Sequence, residues 1–320
     1  MTVFTLTPGP DTLHGAFSPE RPPILRLRPG DTVEAATPDA AWGMEAPHLD
    51  GTPRRKHPMP EAEEQQGHAL IGPIWIEGAK PGMTLVVHIE DVTPGDFGFT
   101  FAGGFPHRIH AALDMIEGEP EKLIWQLDAE RLIGVNQFGQ QVRLRPFLGV
   151  MGMPPPEPGF HYTDPPRVWG GNLDCRDLVA GTRLYLPIPV EGALFSFGDG
   201  HAAQGHGEVS VMAIECPMAR VRLRFDLIDD MPLSAPRAWT PTSWLTFGFH
   251  ENLEQAVYQA LDGMVNLMVS QYGLASRRQA LALASAVVDL HITQIANPTM
   301  GVHAALPHDF LLNSAPQTIP

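Results

Sequence analysis

Apolar and polar residues alternate in short runs over most of the first 230 positions, and Gly or Pro stops each run within a few residues. Period-two alternation of that length predicts strands half buried against a core. Residues 24–37, ILRLRPGDTVEAAT, alternate, break at Pro29-Gly30-Asp31 and resume, which reads as a hairpin. Residues 72–92, GPIWIEGAKPGMTLVVHIEDV, repeat the order of strand, Pro-Gly turn and strand. Residues 97–106, FGFTFAGGFP, fit either a core strand with its turn or the wall of a small-ligand site. Residues 143–159 run from a strand into a triple-Pro loop, and 178–190 from a turn into a strand. Between 40 and 66 the periodicity fails and Pro47, Pro53, Pro58 and Pro60 intervene. A long loop is expected there, as a lid, an oligomer arm or a plain excursion.

The pattern changes beyond residue 220. VRLRFDLID is one more strand, after which apolar residues at 253, 256, 257, 260, 261, 264, 265 and 268 recur at helical spacing. Gly273 fits the C-cap of that helix, and Ser276 the N-cap of a second one reaching about residue 289. LHITQIANP then returns to an extended pattern and stops at Pro298. The expected fold is mainly β: a sandwich- or barrel-like body of short strands, followed by an α+β C-terminal part with two helices. The division falls at 1–220 for the β-rich body that carries the candidate chemistry, and 221–320 for the C-terminal part.

Composition sharpens this picture. The 33 Pro and 31 Gly are spread along the chain, which suits many short strands and turns rather than a helical bundle. Lys and Arg number 21 against 36 Asp and Glu, and a net charge of −15 repels nucleic acid and anionic membranes as partners. Two cysteines make no disulfide framework and fit a reducing compartment. The opening residues show no basic stretch followed by an apolar run, and no apolar run is long enough to span a bilayer, so the expected location is the cytoplasm.

Candidate chemistry concentrates in residues 196–216, SFGDGHAAQGHGEVSVMAIEC. Apolar residues precede it and Val209, Val211, Ala213 and Ile214 alternate at its end, so strand, polar loop, strand is expected. The middle holds Asp199, His201, His206 and Glu208 among glycines 198, 200, 205 and 207. Asp199 and His201 are two apart, so an extended backbone points both to one side. Carboxylate with imidazole suits a cation such as Zn²⁺ that activates water; the same residues also fit a solvated hairpin loop. A second polar turn, Gly170-Gly171-Asn172-Leu173-Asp174, offers a ligand in Asp174 and a hydrogen-bonding amide in Asn172, or a plain Asx turn. Glu77 ends a strand, either turning into a site or capping the turn. His14, isolated in a polar segment, reads as a surface residue. Cys175 and Cys216 sit in no nucleophile motif, and the G-x-S-x-G, H-E-x-x-H and phosphate-loop patterns are missing. Metal-assisted hydrolysis is favoured over covalent catalysis, with a non-catalytic binding module still open.

The segments PPILRLRPGDTVEAAT, GPIWIEGAKPGMTLVVHIEDV, RPFLGVMGMPPPEPG, GGNLD, LVAGTRLYLPIPVEGALFSFGDGHAAQGHGE, AIECP and ASAVVDLHITQIANP occur in this order from near residue 14 to about 305. With them the chain resembles the acetamidase/formamidase family of amide hydrolases. The resemblance implies a β-rich, two-part cytosolic enzyme, commonly a homo-oligomer, that cleaves short aliphatic amides to carboxylate and ammonia. It also implies a divalent metal, zinc, with calcium as a second ion in some members. By motif it selects Asp174 of GGNLD, Asp199 and His201 of GDGH and Glu208 of GHGE, with Glu77 and Glu215 also matching. The family commonly reads G-D-G-E where this chain has Gly205-His206-Gly207-Glu208, an oxygen ligand replaced by nitrogen.

On this resemblance, Asp174, Asp199 and His201 are expected to hold the cation. Glu208 or Glu215 is expected to move the proton, and Asn172 to polarise the carbonyl. Glu77, His206 and Gln204 are expected to touch substrate or support these groups. The alternatives are hydrolysis of a related C–N bond, urea-like or N-substituted, and a catalytically inactive binding or assembly homologue.

Overall fold

Which face of each strand is apolar decides where it packs, and a computed structural model shows the outcome for residues 1–62 and 65–311. Positions 63 and 64 of the expected loop, and 312–320 of the expected C-terminal part, lie outside the described residues. In chain order the strands are β1 (Val3–Leu6), β2 (Leu13–His14), β3 (Leu25–Leu27), β4 (Thr32–Thr37), β5 (Leu70–Ile76), β6 (Thr84–Pro94) and β7 (Phe97–Ala102), then a short helix α1 (Arg108–Ala112). Next come β8 (Glu121–Asp128), β9 (Ile133–Asn136), β10 (Gln141–Arg143), β11 (Phe147–Gly152), β12 (Pro166–Arg167), β13 (Gly170–Asn172), β14 (Arg183–Pro187) and β15 (Phe195–His201). The last third holds β16 (Met218–Ile228), β17 (Arg237–Trp239), β18 (Ser243–His250), helices α2 (Leu253–Tyr272) and α3 (Arg277–Val287), β19 (Asp289–Gln294) and β20 (Met300–Pro307).

Among the described residues these strands form three sheets. The nine-stranded one runs β1-β4-β16-β6-β14-β17-β18-β20-β19, and the seven-stranded one β12-β13-β11-β15-β5-β2, with β3 beside β5. The third is a four-stranded ribbon, β10-β9-β8-β7. The large sheets form a sandwich, because one core cluster takes Leu85, Val87, Leu184, Leu223 and Phe225 from the first and Leu27, Ile74, Ile76, Phe195 and Phe197 from the second. Their neighbours Val86, Tyr185 and Trp244 turn to the opposite face and pack against Ala256, Ala260, Met264 and Met268 of α2. The nine-stranded sheet is thus covered on both faces, as strict period-two alternation with apolar residues on both sides requires. It draws strands from both sides of residue 220, and β16 runs across that position.

The C-terminal helices form where the apolar stripe places them. Asn252 caps α2 by accepting from the Gln255 N–H, and Gly273 closes it in the left-handed region at φ 63°. Ser276 caps α3 in the same way, and α3 stops at Val287 because β19 begins at Asp289. The 40–66 excursion carries an isolated bridge, Gly43 to Lys56, and is pinned by a buried bidentate pair from Arg54 to Asp39 at 2.7 and 2.9 Å.

Three local expectations are overturned. Residues 24–37 are not a hairpin: β3 pairs in parallel with β5, while β4 pairs with β1 and β16 in the other sheet. The Pro29-Gly30-Asp31 turn crosses between layers, and the Gly30 N–H donates to the Phe225 carbonyl. The expected strand after the polar loop is also missing. Glu208 and Val211 adopt positive φ (48° and 70°), which breaks an extended run, and the segment is held by isolated bridges, Gly207 to Gln294 and Glu215 to Phe99 and His201. Finally, His14 is buried rather than at the surface, with Nδ1 2.8 Å from the Ala16 carbonyl and Nε2 2.9 Å from Ser196 Oγ.

Burial, reinforced by the Arg21 charge, lowers the His14 pKa to about 3. The folded state therefore keeps the ring neutral while the unfolded chain protonates near pH 6.5, so stability is complete above that pH and falls as pH drops toward 3. By pH 5 the loss from this ring is about 2 kcal/mol. Urea unfolding of His14→Gln is expected to show a shallower loss between pH 8 and 5 than the wild type, and an identical slope would reject the assignment.

Candidate active site

The centre of the seven-stranded sheet delivers the polar side chains. β15 lies between β11 and β5, and carries Asp199 and His201 within the strand rather than in a loop. Both side chains fall on one side, with His201 Nε2 3.3 Å from Asp199 Oδ1. Register β11–β15 pairs Leu148 with Gly200 and Val150 with Gly198, so Gly149 falls against Asp199. A Cβ at Gly149 would collide with Asp199 Oδ2 and sit 2.7 Å from Asp174 Oδ1. Glycine is needed there because the two carboxylates occupy the space of its missing side chain. The Gly149 carbonyl in turn accepts from the Leu173 and Asp174 N–H groups at 2.8 and 3.2 Å, holding the turn that follows β13 and presents Asn172 and Asp174.

The remaining groups arrive from the 202–216 segment. Glu215 bridges both Phe99 and His201, and its Oε1 accepts from the Ala213 N–H at 3.0 Å, leaving Oε2 3.3 Å from His201 Nε2. Gln204 sets the imidazole. Its Nε2 donates to the Asp174 carbonyl at 2.8 Å, so its Oε1 accepts from His201 Nδ1–H at 3.0 Å. That chain fixes which ring nitrogen carries the hydrogen and turns His201 Nε2 toward the carboxylates. Asp174, Asp199 and Glu208 all hold positive φ, at 45°, 59° and 48°. Three non-glycine residues in the left-handed region, all at one cavity, represent local strain held by the surrounding fold.

These side chains open on a cavity of about 120 Å³ lined by Asn172, Asp174, Asp199, His201, Glu208 and Glu215. Larger grooves exist elsewhere, between α2 and residues 230–237 for example, but they hold no such convergence of titratable groups. Of the residues predicted from sequence, the structure therefore brings together those six, with Gln204 behind them. It places Glu77 on the surface beside Arg28 at 3.2 Å, and His206 outside the cavity against Asp177 and His291. Sequence reasoning missed Gly149, His68, Asp164 and Asn297, the last donating to Asp174 Oδ2 at 3.4 Å. An Asn before Pro and a Gly inside an apolar strand carry no local signal of such a role. The two cysteines are buried, and burial raises both thiols, which leaves them poor nucleophiles.

Four buried carboxylates around one imidazole are electrostatically unbalanced. Burial raises Asp174 well above the carboxylate range, reinforced by Glu208 and Asp199, and raises Glu208 to about 8. Burial also pushes Asp199 up, but the charges of His201 and His68, with hydrogen bonding to His201 and Glu215, together bring it down to about 2. For His201 burial favours the neutral ring, yet Glu215 and Asp199 win and raise it well above its ordinary value. Asn172 Oδ1, Asp174 Oδ1, Glu208 Oε2 and Glu215 Oε2 are buried without hydrogen-bond partners. Asp174, His201 and Glu208 offer ligand atoms within 4.8 Å of one another, as do Asp199, His201 and Glu215. Orphaned oxygens, excess negative charge and one oriented imidazole nitrogen fit a divalent cation.

Comparison with known proteins finds relatives along nearly the whole chain. The sequence model of the Acetamidase/Formamidase family matches residues 6–160 and 158–312. A formamidase of Methylophilus methylotrophus is 24% identical, with 89% of this chain and 86% of that protein aligned. The crystal structure of a predicted acetamidase/formamidase from Thermoanaerobacter tengcongensis superposes with a TM-score of 0.82 at 26% identity, covering 96% of each chain. An acetamidase structure from Bacillus halodurans gives a TM-score of 0.81 at 28% identity, covering 96% of this chain and 98% of that one.

Because Gly149 makes room for two carboxylates, Gly149→Ala is expected to cost about 1–3 kcal/mol of stability. Gly205→Ala, whose added Cβ would have nothing within 4 Å, should stay within about 0.5 kcal/mol of wild type. Urea denaturation of both variants checks the contrast.

Proposed function

Because the chain belongs to the Acetamidase/Formamidase family, we propose that it is an amidohydrolase that cleaves short aliphatic amides, formamide or acetamide in size, to carboxylate and ammonia. The observation that carries this reading is the convergence of four buried carboxylates and the Gln204-oriented His201 on a cavity of about 120 Å³. That volume is well below the roughly 300–1,000 Å³ of sites for larger ligands. A one- or two-carbon acyl group suits it.

Asp174, Asp199 and His201 would hold a divalent cation such as zinc, which would supply Lewis acidity and an activated water at neutral pH. The protein's own groups do the rest. Gln204 keeps the His201 Nδ1–H occupied, so Nε2 stays available on the cavity side. Glu215, anchored through Oε1 and with Oε2 beside His201 Nε2, accepts a proton from the attacking water. Glu208, buried at the same cavity, passes a proton to the departing nitrogen, so that ammonia rather than an amide anion leaves. Asn172 orients the substrate amide by hydrogen bonding at the cavity wall. Water adds to the carbonyl carbon, the C–N bond breaks, and the carboxylate and ammonia are released.

Ammonia release is expected from formamide and acetamide, falling steeply for longer acyl chains and for urea and N-methylacetamide. Glu215→Gln should lower kcat by about 10²–10⁴-fold while thermal unfolding stays cooperative, the range of a lost proton-transfer group. Unchanged turnover in that variant would remove Glu215 from the mechanism. Elemental analysis should find stoichiometric zinc, and its removal by a chelator should abolish turnover; full activity in metal-free protein would reject the cation.

A further inference from the structure

A second group of titratable side chains lies outside the cavity, and the proposed reaction uses none of it. His291 of β19 and His303 of β20 face each other across the strand pair, and His206 approaches from the 205–208 segment. The ring centroids lie 4.5 Å apart for His206 and His291, 5.0 Å for His291 and His303, and 5.3 Å for His206 and His303. Asp177 completes the group from the turn beyond β13. Its Oδ1 is held by Arg145 at 2.7 Å, which leaves Oδ2 3.3 Å from His303 Nε2 and 3.6 Å from His206 Nε2. Ligand atoms of the three histidines lie within 4.8 Å of one another.

We propose that His206, His291, His303 and Asp177 form a second metal site, specific for a borderline divalent transition ion such as Zn²⁺. Three imidazoles and one carboxylate are the donor types that such ions prefer over Mg²⁺ or Ca²⁺. Tetrahedral coordination at about 2.0–2.1 Å places ligand atoms roughly 3.3–3.4 Å apart. The His303–Asp177 separation of 3.3 Å already has that value, and the His206–Asp177 separation of 3.6 Å is close to it. His303 is fully buried, and among the described residues its Nε2 faces only the Asp177 carboxylate. Its Nδ1 is engaged by Thr293 Oγ1 at 2.8 Å, the kind of support that orients a ligating ring. His206 and His291 are only partly buried.

An ion there joins three chain segments: the β19–β20 edge, the turn that carries Asp174 as well as Asp177, and the segment that carries Glu208 as well as His206. The Gly207 N–H already donates to the Thr293 carbonyl at 3.0 Å and the Ile295 N–H to the Gly207 carbonyl at 2.9 Å. The site thus clips two elements of the catalytic cavity to the sheet edge.

The test is Zn²⁺ titration by calorimetry of chelator-stripped full-length protein, with elemental analysis of the dialysed product. The wild type should hold one equivalent more than His206→Asn/His291→Ala, and Asp199→Asn/Glu215→Gln should retain that equivalent. A failed cavity site then leaves one equivalent in the wild type and none in the histidine variant, so the two assignments fail separately. Single His291→Gln, at a partly exposed strand position, guards against misfolding of the double variant and should weaken the same equivalent at least tenfold. Equal zinc content in the wild type and the histidine variants would overturn the proposal.

Discussion

Burial of like charges around His201 is the constraint on which the rest of this structure depends. Asp174, Asp199, Glu208 and Glu215 are each almost inaccessible to solvent, and a lone carboxylate in such a place is strongly disfavoured unless a counter-charge meets it. One imidazolium balances one of them; the excess is met by protonation or by a cation. The protein holds this unfavourable arrangement because each carboxylate sits on an element fixed elsewhere. β15 is flanked on both sides in the seven-stranded sheet, the Asp174 turn hangs on the Gly149 carbonyl, and Glu215 is bridged to both Phe99 and His201.

The sandwich explains why such a site can exist. A sheet buried on both faces is stiff, and the nine-stranded sheet is backed by α2 and α3 on one side and the second sheet on the other. The strained backbone at Asp174, Asp199 and Glu208 is tolerated because that frame over-determines it. His291 and His303 of the second group lie opposite each other on the β19–β20 strand pair.

Much of the secondary structure was legible in the chain. Runs of alternating apolar residues marked β5, β6, β14 and β16, and the caps Ser276 and Gly273 marked the boundary between α2 and α3. These are local signals, set by side-chain periodicity and by the backbone preferences of single residues. Pairing was not legible. Two strands joined by a Pro-Gly turn look the same whether they fold back on each other or pass to different sheets, and residues 24–37 took the second course. Residues 209–214 alternate like a strand, but positive φ at Glu208 and Val211 breaks the extended run beside the cavity.

By itself the sequence determined the strand-rich class, the two C-terminal helices and the two motifs, Gly-Asp-Gly-His and Gly-Gly-Asn-Leu-Asp, whose polar residues line the cavity. Those features depend on neighbours in the chain. Only the tertiary structure decided that Gly149, His68 and Asn297 belong with them, that Glu77 stands apart, and that His206 turns toward His291 and His303. The physical reason is that a side chain's role follows from what packs against it across the sheets, and residues 149, 199 and 297 meet through register and burial rather than through spacing in the chain.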